Sequence, residues 1–91
     1  GKTRPKYKVT MGIMPDYTEH GDGLHVDGVT ENRPAQKAGI KEGDIITKIG
    51  TTEIKEVYSY MDALAKITPG DELDVVFIRD GETKTVKVKF E

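Results

Sequence analysis

The segment from Val29 to Ile49, Val-Thr-Glu-Asn-Arg-Pro-Ala-Gln-Lys-Ala-Gly-Ile-Lys-Glu-Gly-Asp-Ile-Ile-Thr-Lys-Ile, reads as strand, one short helix, tight turn and strand. Pro34 suits the first helical position, where its missing N–H would be unpaired anyway. Gly39 suits the left-handed residue that stops a helix, so little more than one turn fits between them. Lys41-Glu42-Gly43-Asp44 then turns the chain into Ile45-Ile46-Thr47-Lys48-Ile49, a β-branched run of the kind that packs on a sheet. Small side chains at Ala35 and Ala38 let the helix lie close to that sheet. Nothing in the segment carries catalytic chemistry.

A chain of 91 residues makes one domain with a single modest core, expected to fold alone as a monomer. Its 14 Lys and Arg against 16 Asp and Glu give a net charge of −2 with the signs mixed along the chain. That leaves no basic footprint for nucleic acid. No run of about 18 apolar residues and no basic-then-apolar leader is present, which argues against membrane insertion or a signal peptide within this stretch. The absence of cysteine removes disulfides, thiolate metal sites and cysteine nucleophiles, and leaves the compartment open.

Residues 1–6 are basic, polar and proline-containing, as in a linker, and the domain is expected from Tyr7 to Glu91. Residues 7–14 alternate apolar and polar until Pro15 stops ladder pairing, so they read as an edge strand. A polar loop over residues 16–23 follows. Residues 24–30 alternate again as a second strand. After the short helix and its following strand, residues 51–54 suit a very short strand. Residues 56–67 form the one stretch long enough for a full amphipathic helix, with Val57, Tyr60, Met61, Leu64 and Ile67 at steps of three and four. Thr68-Pro69-Gly70 ends it. Residues 73–79 and 83–90 then read as a hairpin around Asp80-Gly81.

Arg33-Pro34-Ala35, Ala38-Gly39-Ile40, Gly43-Asp44-Ile45-Ile46 and Ile49-Gly50 together resemble the PDZ family pattern "xxPAxxAGlxxGDxIxxIxg", and the likeness covers nearly the whole chain. The fold it implies is α+β: a small, partly open antiparallel β-barrel or sandwich of five to six strands, with one short and one longer helix. The glycine loop follows at once on the chain start and an extra strand closes the chain, which looks like the permuted order of bacterial protease-associated members. Met11-Gly-Ile-Met-Pro-Asp-Tyr17 is most similar to "lGvmPdy" in the C-terminal domains of bacterial two-zinc aminopeptidases. The resemblance therefore implies a non-catalytic accessory domain that positions substrate for, or regulates, an extracytoplasmic bacterial peptidase, periplasmic or extracellular, with any zinc ligands on the parent and no cofactor here.

The same resemblance implies a site. Thr10-Met11-Gly12-Ile13 matches the x-Φ-G-Φ loop that leads into an edge strand, so the amides of Met11, Gly12 and Ile13 are candidates for a nest that holds a terminal carboxylate. Ile13 and Met14 would pair with an incoming extended peptide or protein C-terminus as an added strand. The opposite wall is implied at Tyr60, Leu64 and Ile67 along one helix stripe. Tyr60 stands where many members have histidine, which removes the usual partner for a Ser or Thr of the ligand. The plain alternative is that Met61, Leu64 and Ile67 are core.

Other readings are less well supported. Ser59 is the one serine, with only His20 and His25 available as a base and no glycine elbow, so catalysis by this domain is not expected. Asp16, Glu19, His20, Asp22, His25 and Asp27 cluster in sequence, but their spacing matches neither an EF-hand loop nor a paired-histidine zinc helix, and a solvated loop is the expectation. Docking on the catalytic domain of a parent protein, without a free peptide, is the remaining alternative.

Overall fold

A computed structural model of the protein describes residues 9–18 and 20–91. In chain order its elements are β1 (Ile13–Pro15), β2 (Leu24–Val29), α1 (Pro34–Ala38), β3 (Ile45–Ile49), β4 (Thr52–Glu53), α2 (Val57–Ala65), β5 (Glu72–Arg79) and β6 (Glu82–Lys89). The six strands make one antiparallel sheet in the order β1-β2-β3-β5-β6, with β4 paired on β3. The sheet stays open, with β1 at one edge. No helix among the described residues is long and apolar enough to cross a membrane.

Local chemistry explains the elements. Asp80 and Gly81 both take positive φ, 54° and 79°, the backbone that a two-residue turn needs to match strand twist. They close β5 onto β6 in unbroken register from Arg79↔Glu82 to Glu72↔Lys89. Val75, Phe77 and Val88 point inward from this hairpin and are buried. β3 joins β5 through Ile46↔Phe77 and Ile49↔Val75, with an irregularity at Thr47 between them. The short helix α1 starts at Pro34 and ends at Gly39, φ 97°, where the N–H groups of Gly39 and Ile40 close on Gln36 and Ala35 carbonyls at 3.0 and 2.9 Å.

Two expectations need correction. The long helix was expected over residues 56–67, yet Glu56 is its N-cap and Ile67 lies past its last turn. A reciprocal capping box sets the start: Ser59 N–H donates to Glu56 Oε1 at 2.9 Å and Glu56 N–H donates to Ser59 Oγ at 3.2 Å, satisfying two orphan amides. The first strand was expected over residues 7–14, of which Tyr7 and Lys8 lie outside the described residues, as does the expected linker over residues 1–6. Among the described residues the strand begins only at Ile13 and includes Pro15. Gly12 at φ +80° turns the chain just before it, and Met11 is drawn into the core, its carbonyl accepting Ala35 N–H at 2.8 Å. Pro15 is tolerated because its missing N–H would face outward at a sheet edge.

One buried ion pair was not foreseen. Asp44 is 1% exposed, and its two carboxylate oxygens accept from Arg79 Nε at 2.8 Å and Nη2 at 2.7 Å. Arg79 Nη2 also donates to the Gly39 carbonyl at 2.8 Å, and Lys41 N–H donates to Asp44 Oδ2 at 2.9 Å. The end of α1, the turn after it, the start of β3 and the end of β5 thus meet at one carboxylate. Arg79 keeps 27% of its side chain exposed, so removing its buried partner leaves a cation that water can reach, and the loss falls below that of a fully buried pair, at about 2 kcal/mol. Asp44→Ala is expected to lower the thermal midpoint by roughly 10 °C in calorimetry, given the usual scaling for a domain of this size. A shift of only a degree or two would show that the pair contributes little.

Candidate functional site

The edge carried by β1 is shaped by Gly12. Its positive φ disfavours any side chain, and a Cβ there would lie 2.1 Å from Arg33 Cβ, so close approach forbids one as well. The Gly12 carbonyl accepts Thr30 N–H at 2.8 Å, and Asp16 N–H donates to the His25 carbonyl at 2.9 Å. Residues 12, 14 and 16 therefore turn their backbone groups toward β2, in keeping with the registers Ile13↔Val29 and Met14↔Gly28. By antiparallel alternation, Ile13 and Pro15 turn theirs the other way, off the edge of the sheet. An added strand would meet the N–H and C=O of Ile13 and the C=O of Pro15, and proline removes the next donor. Of the nest amides, Gly12 N–H donates to Thr10 Oγ1 at 3.1 Å, while Met11 N–H has no acceptor among the described residues.

The side chains divide differently from the sequence expectation. Met11, Tyr60, Leu64 and Ile67 are 0, 6, 7 and 5% exposed and belong to the core. Burial pushes the Tyr60 phenol above its ordinary pKa, with Tyr17 adding a smaller push. Met61, read from sequence as core, is only half-buried against it, as is Ile13, and Met14 is 52% exposed. Helix geometry gives the reason. The flank of α2 carrying Ala63 and Lys66 faces a hollow shared with Ile49, Thr52 and Leu73. At 100° per residue the opposite flank holds Val57, Met61 and Leu64, again at i, i+4 and i+7, with Val57 and Leu64 buried and Met61 half-buried. The spacing of these three was visible in sequence; the flank on which the sheet lies was not.

The polar loop after β1 resolves into two pairs. His20 Nε2 meets Asp16 Oδ2 at 2.9 Å and His25 Nε2 meets Asp22 Oδ1 at 2.8 Å, and the two imidazole rings lie with centroids 3.8 Å apart. Among the described residues no three metal-ligating side chains converge on one point; Asp27 lies exposed on β2, and Glu19 lies outside the described residues. Ser59 Oγ is committed to the helix cap, bonded to Lys55 N–H at 2.8 Å and to the Glu56 carbonyl at 3.0 Å. It is a structural hydroxyl.

A family model for the PDZ domain matches residues 9–90. The chain belongs to the PDZ domain family. PDZ domains are non-catalytic modules that bind peptides, a role they serve on bacterial proteases of the HtrA type. The serine protease Do-like HtrB of Bacillus subtilis is 35% identical over 78 residues, covering 85% of this chain and 17% of that protein. This chain thus spans about a sixth of the length of that curated relative. Among solved structures, the HtrA3 PDZ domain bound to a phage-derived ligand, FGRWV, overlays with a TM-score of 0.77 at 23% identity, covering 92% of this chain and 86% of that one. An aminopeptidase N family protein from Idiomarina loihiensis overlays with a TM-score of 0.85 at 24% identity, covering all of this chain (100%) and 15% of that one. These two likenesses concern the fold. The curated relative is a serine protease, so an aminopeptidase enters as a fold likeness alone.

The hydrogen bond from His20 holds the Asp16 carboxyl at about 2, below its ordinary 3.8, with the Thr18 amide contributing next. A lowered folded-state value means that this contact stabilises above the unfolded value and is lost as pH falls through the folded one. Carboxyl-detected NMR is expected to place the Asp16 midpoint near 2 and to return it toward 3.8 in His20→Ala. An unchanged midpoint in that variant would show that the histidine is not the cause.

Proposed function

We propose that this PDZ domain captures extended peptide ends or segments by adding them as a strand on the outer edge of β1, and serves as a substrate-positioning or regulatory module of a bacterial protease outside the cytoplasm. The observation that carries the reading is the edge itself. Ile13 directs its amide and carbonyl away from β2, next to a glycine turn, and both Ile13 and Met61 of α2 are apolar side chains left only partly buried. The groove put forward has Ile13 on one side and Met61 on the other, over the buried Val57 and Leu64, while Met14, on the alternate face of the strand and bonded through its backbone to β2, leans over Gly28. Met11 and Gly12 supply the turn, while Tyr60 and Ile67 support it from the core. Attachment to a two-zinc aminopeptidase rests on a short sequence motif and one fold likeness, so the wider class, a protease, is the parent put forward.

Affinity follows from the parts. One apolar ligand side chain buried in the groove is worth roughly 1.5–3 kcal/mol, and each main-chain bond adds about 1 kcal/mol net. Set against the entropy of association, that gives weak to moderate binding. Titration with FGRWV as the free acid is expected to shift amide NMR signals at residues 11–14 and 57–64, and its C-terminal amide to bind more weakly. Met61→Lys should weaken binding by roughly tenfold, since it places a charge where apolar surface is to be covered. Equal responses to acid and amide would remove the carboxylate nest. A silent titration beside a tight complex with the parent's catalytic domain would replace the reading with one of docking.

A further inference from the structure

The nest at the glycine turn is partly filled by the protein's own hydroxyl. Thr10 Oγ1 accepts Gly12 N–H at 3.1 Å, so the amide that would be expected to meet a carboxylate is already engaged. Thr10 is exposed, and its backbone is pinned by its N–H donating to the Glu91 carbonyl at 3.0 Å. A threonine hydroxyl has one hydrogen to give as well as lone pairs to receive. Among the described residues that hydrogen has no acceptor. We propose that Thr10 is a specificity-determining residue: its hydroxyl accepts the Gly12 amide and donates a hydrogen bond to the ligand's terminal carboxylate, acting as a relay between backbone and anion.

The inference rests on the strand-addition reading and deepens it. A hydroxyl that is already accepting a hydrogen bond is a better donor, because each bond polarises the next. Bonds to ionised acceptors are also shorter and stronger than neutral ones. The relay therefore favours a carboxylate over a carboxamide. Arg33 packs its stem against Gly12, with its guanidinium 4.0 Å from Glu91.

The test compares FGRWV as free acid and as C-terminal amide, by calorimetry, on the wild-type domain and on Thr10→Ser and Thr10→Val. Thr10→Ser keeps the relay and should bind the acid within about twofold of wild type. Thr10→Val keeps the shape and loses the proton, and should bind the acid roughly tenfold more weakly while its affinity for the amide stays the same. Thermal unfolding of each variant checks that the turn is intact. If Thr10→Val binds the acid as tightly as wild type or more tightly, the hydroxyl merely occupies the Gly12 amide and the relay is overturned. If wild type itself does not distinguish acid from amide, the carboxylate nest fails and the relay falls with it, a result separable from the first.

Discussion

One carboxylate organises this small domain. Asp44 is nearly inaccessible to water, and a charge in that position is tolerable only when it is well paired. Arg79 supplies a two-point contact and spans to the Gly39 carbonyl. This ties the end of α1 to the far end of β5, and α1 in turn carries Ala35, whose N–H holds Met11 in place. Arg33, the residue capping α1, lies against Gly12. The shape of the glycine turn thus traces back through a five-residue helix to an ion pair at its other end.

The open edge at β1 is safe because it is poor. An exposed strand edge invites pairing with any other chain, and proteins commonly blunt such edges with short strands and proline. Here β1 has three residues, of which one is Pro15, so the outward face offers a single amide. What the edge lacks in hydrogen bonds has to come from the glycine turn at one end and the flank of α2 opposite. Selectivity is thereby moved away from the strand and toward groups that recognise an end of a chain.

Much of the fold was legible because its signals are local. Pro34 and Gly39 bracket α1, Asp80-Gly81 makes the hairpin turn, and Thr68-Pro69-Gly70 follows α2, each by a conformational preference confined to a few residues. The Asp44–Arg79 pair was not legible, since nothing in a turn sequence announces a partner 35 residues away. The wall of the site was half legible for a related reason. Apolar residues ring more than half of α2, so periodicity alone leaves a choice between the stripe through Tyr60 and the stripe through Met61. Packing against β3 and β4 decides it, and packing is a tertiary fact. The short reach of β1 was hidden similarly, because Val9 and Met11 alternate inward as core residues without entering a ladder.

The join between the β1–β2 ribbon and the rest of the sheet is narrow: β2 meets β3 in ladder register only at Leu24↔Ile46 and His25↔Ile45. A seam so short resists shear poorly beside the eight-residue partnership of β5 with β6, and the least-bonded parts of a fold open first. Val26 lengthens it by two bonds beyond the ladder, donating to the Asp44 carbonyl at 2.9 Å and accepting Gly43 N–H at 2.8 Å, so the ribbon is fastened at the very residue that Arg79 clamps. A weakened clamp would therefore be felt first in the ribbon, where few other bonds share the load.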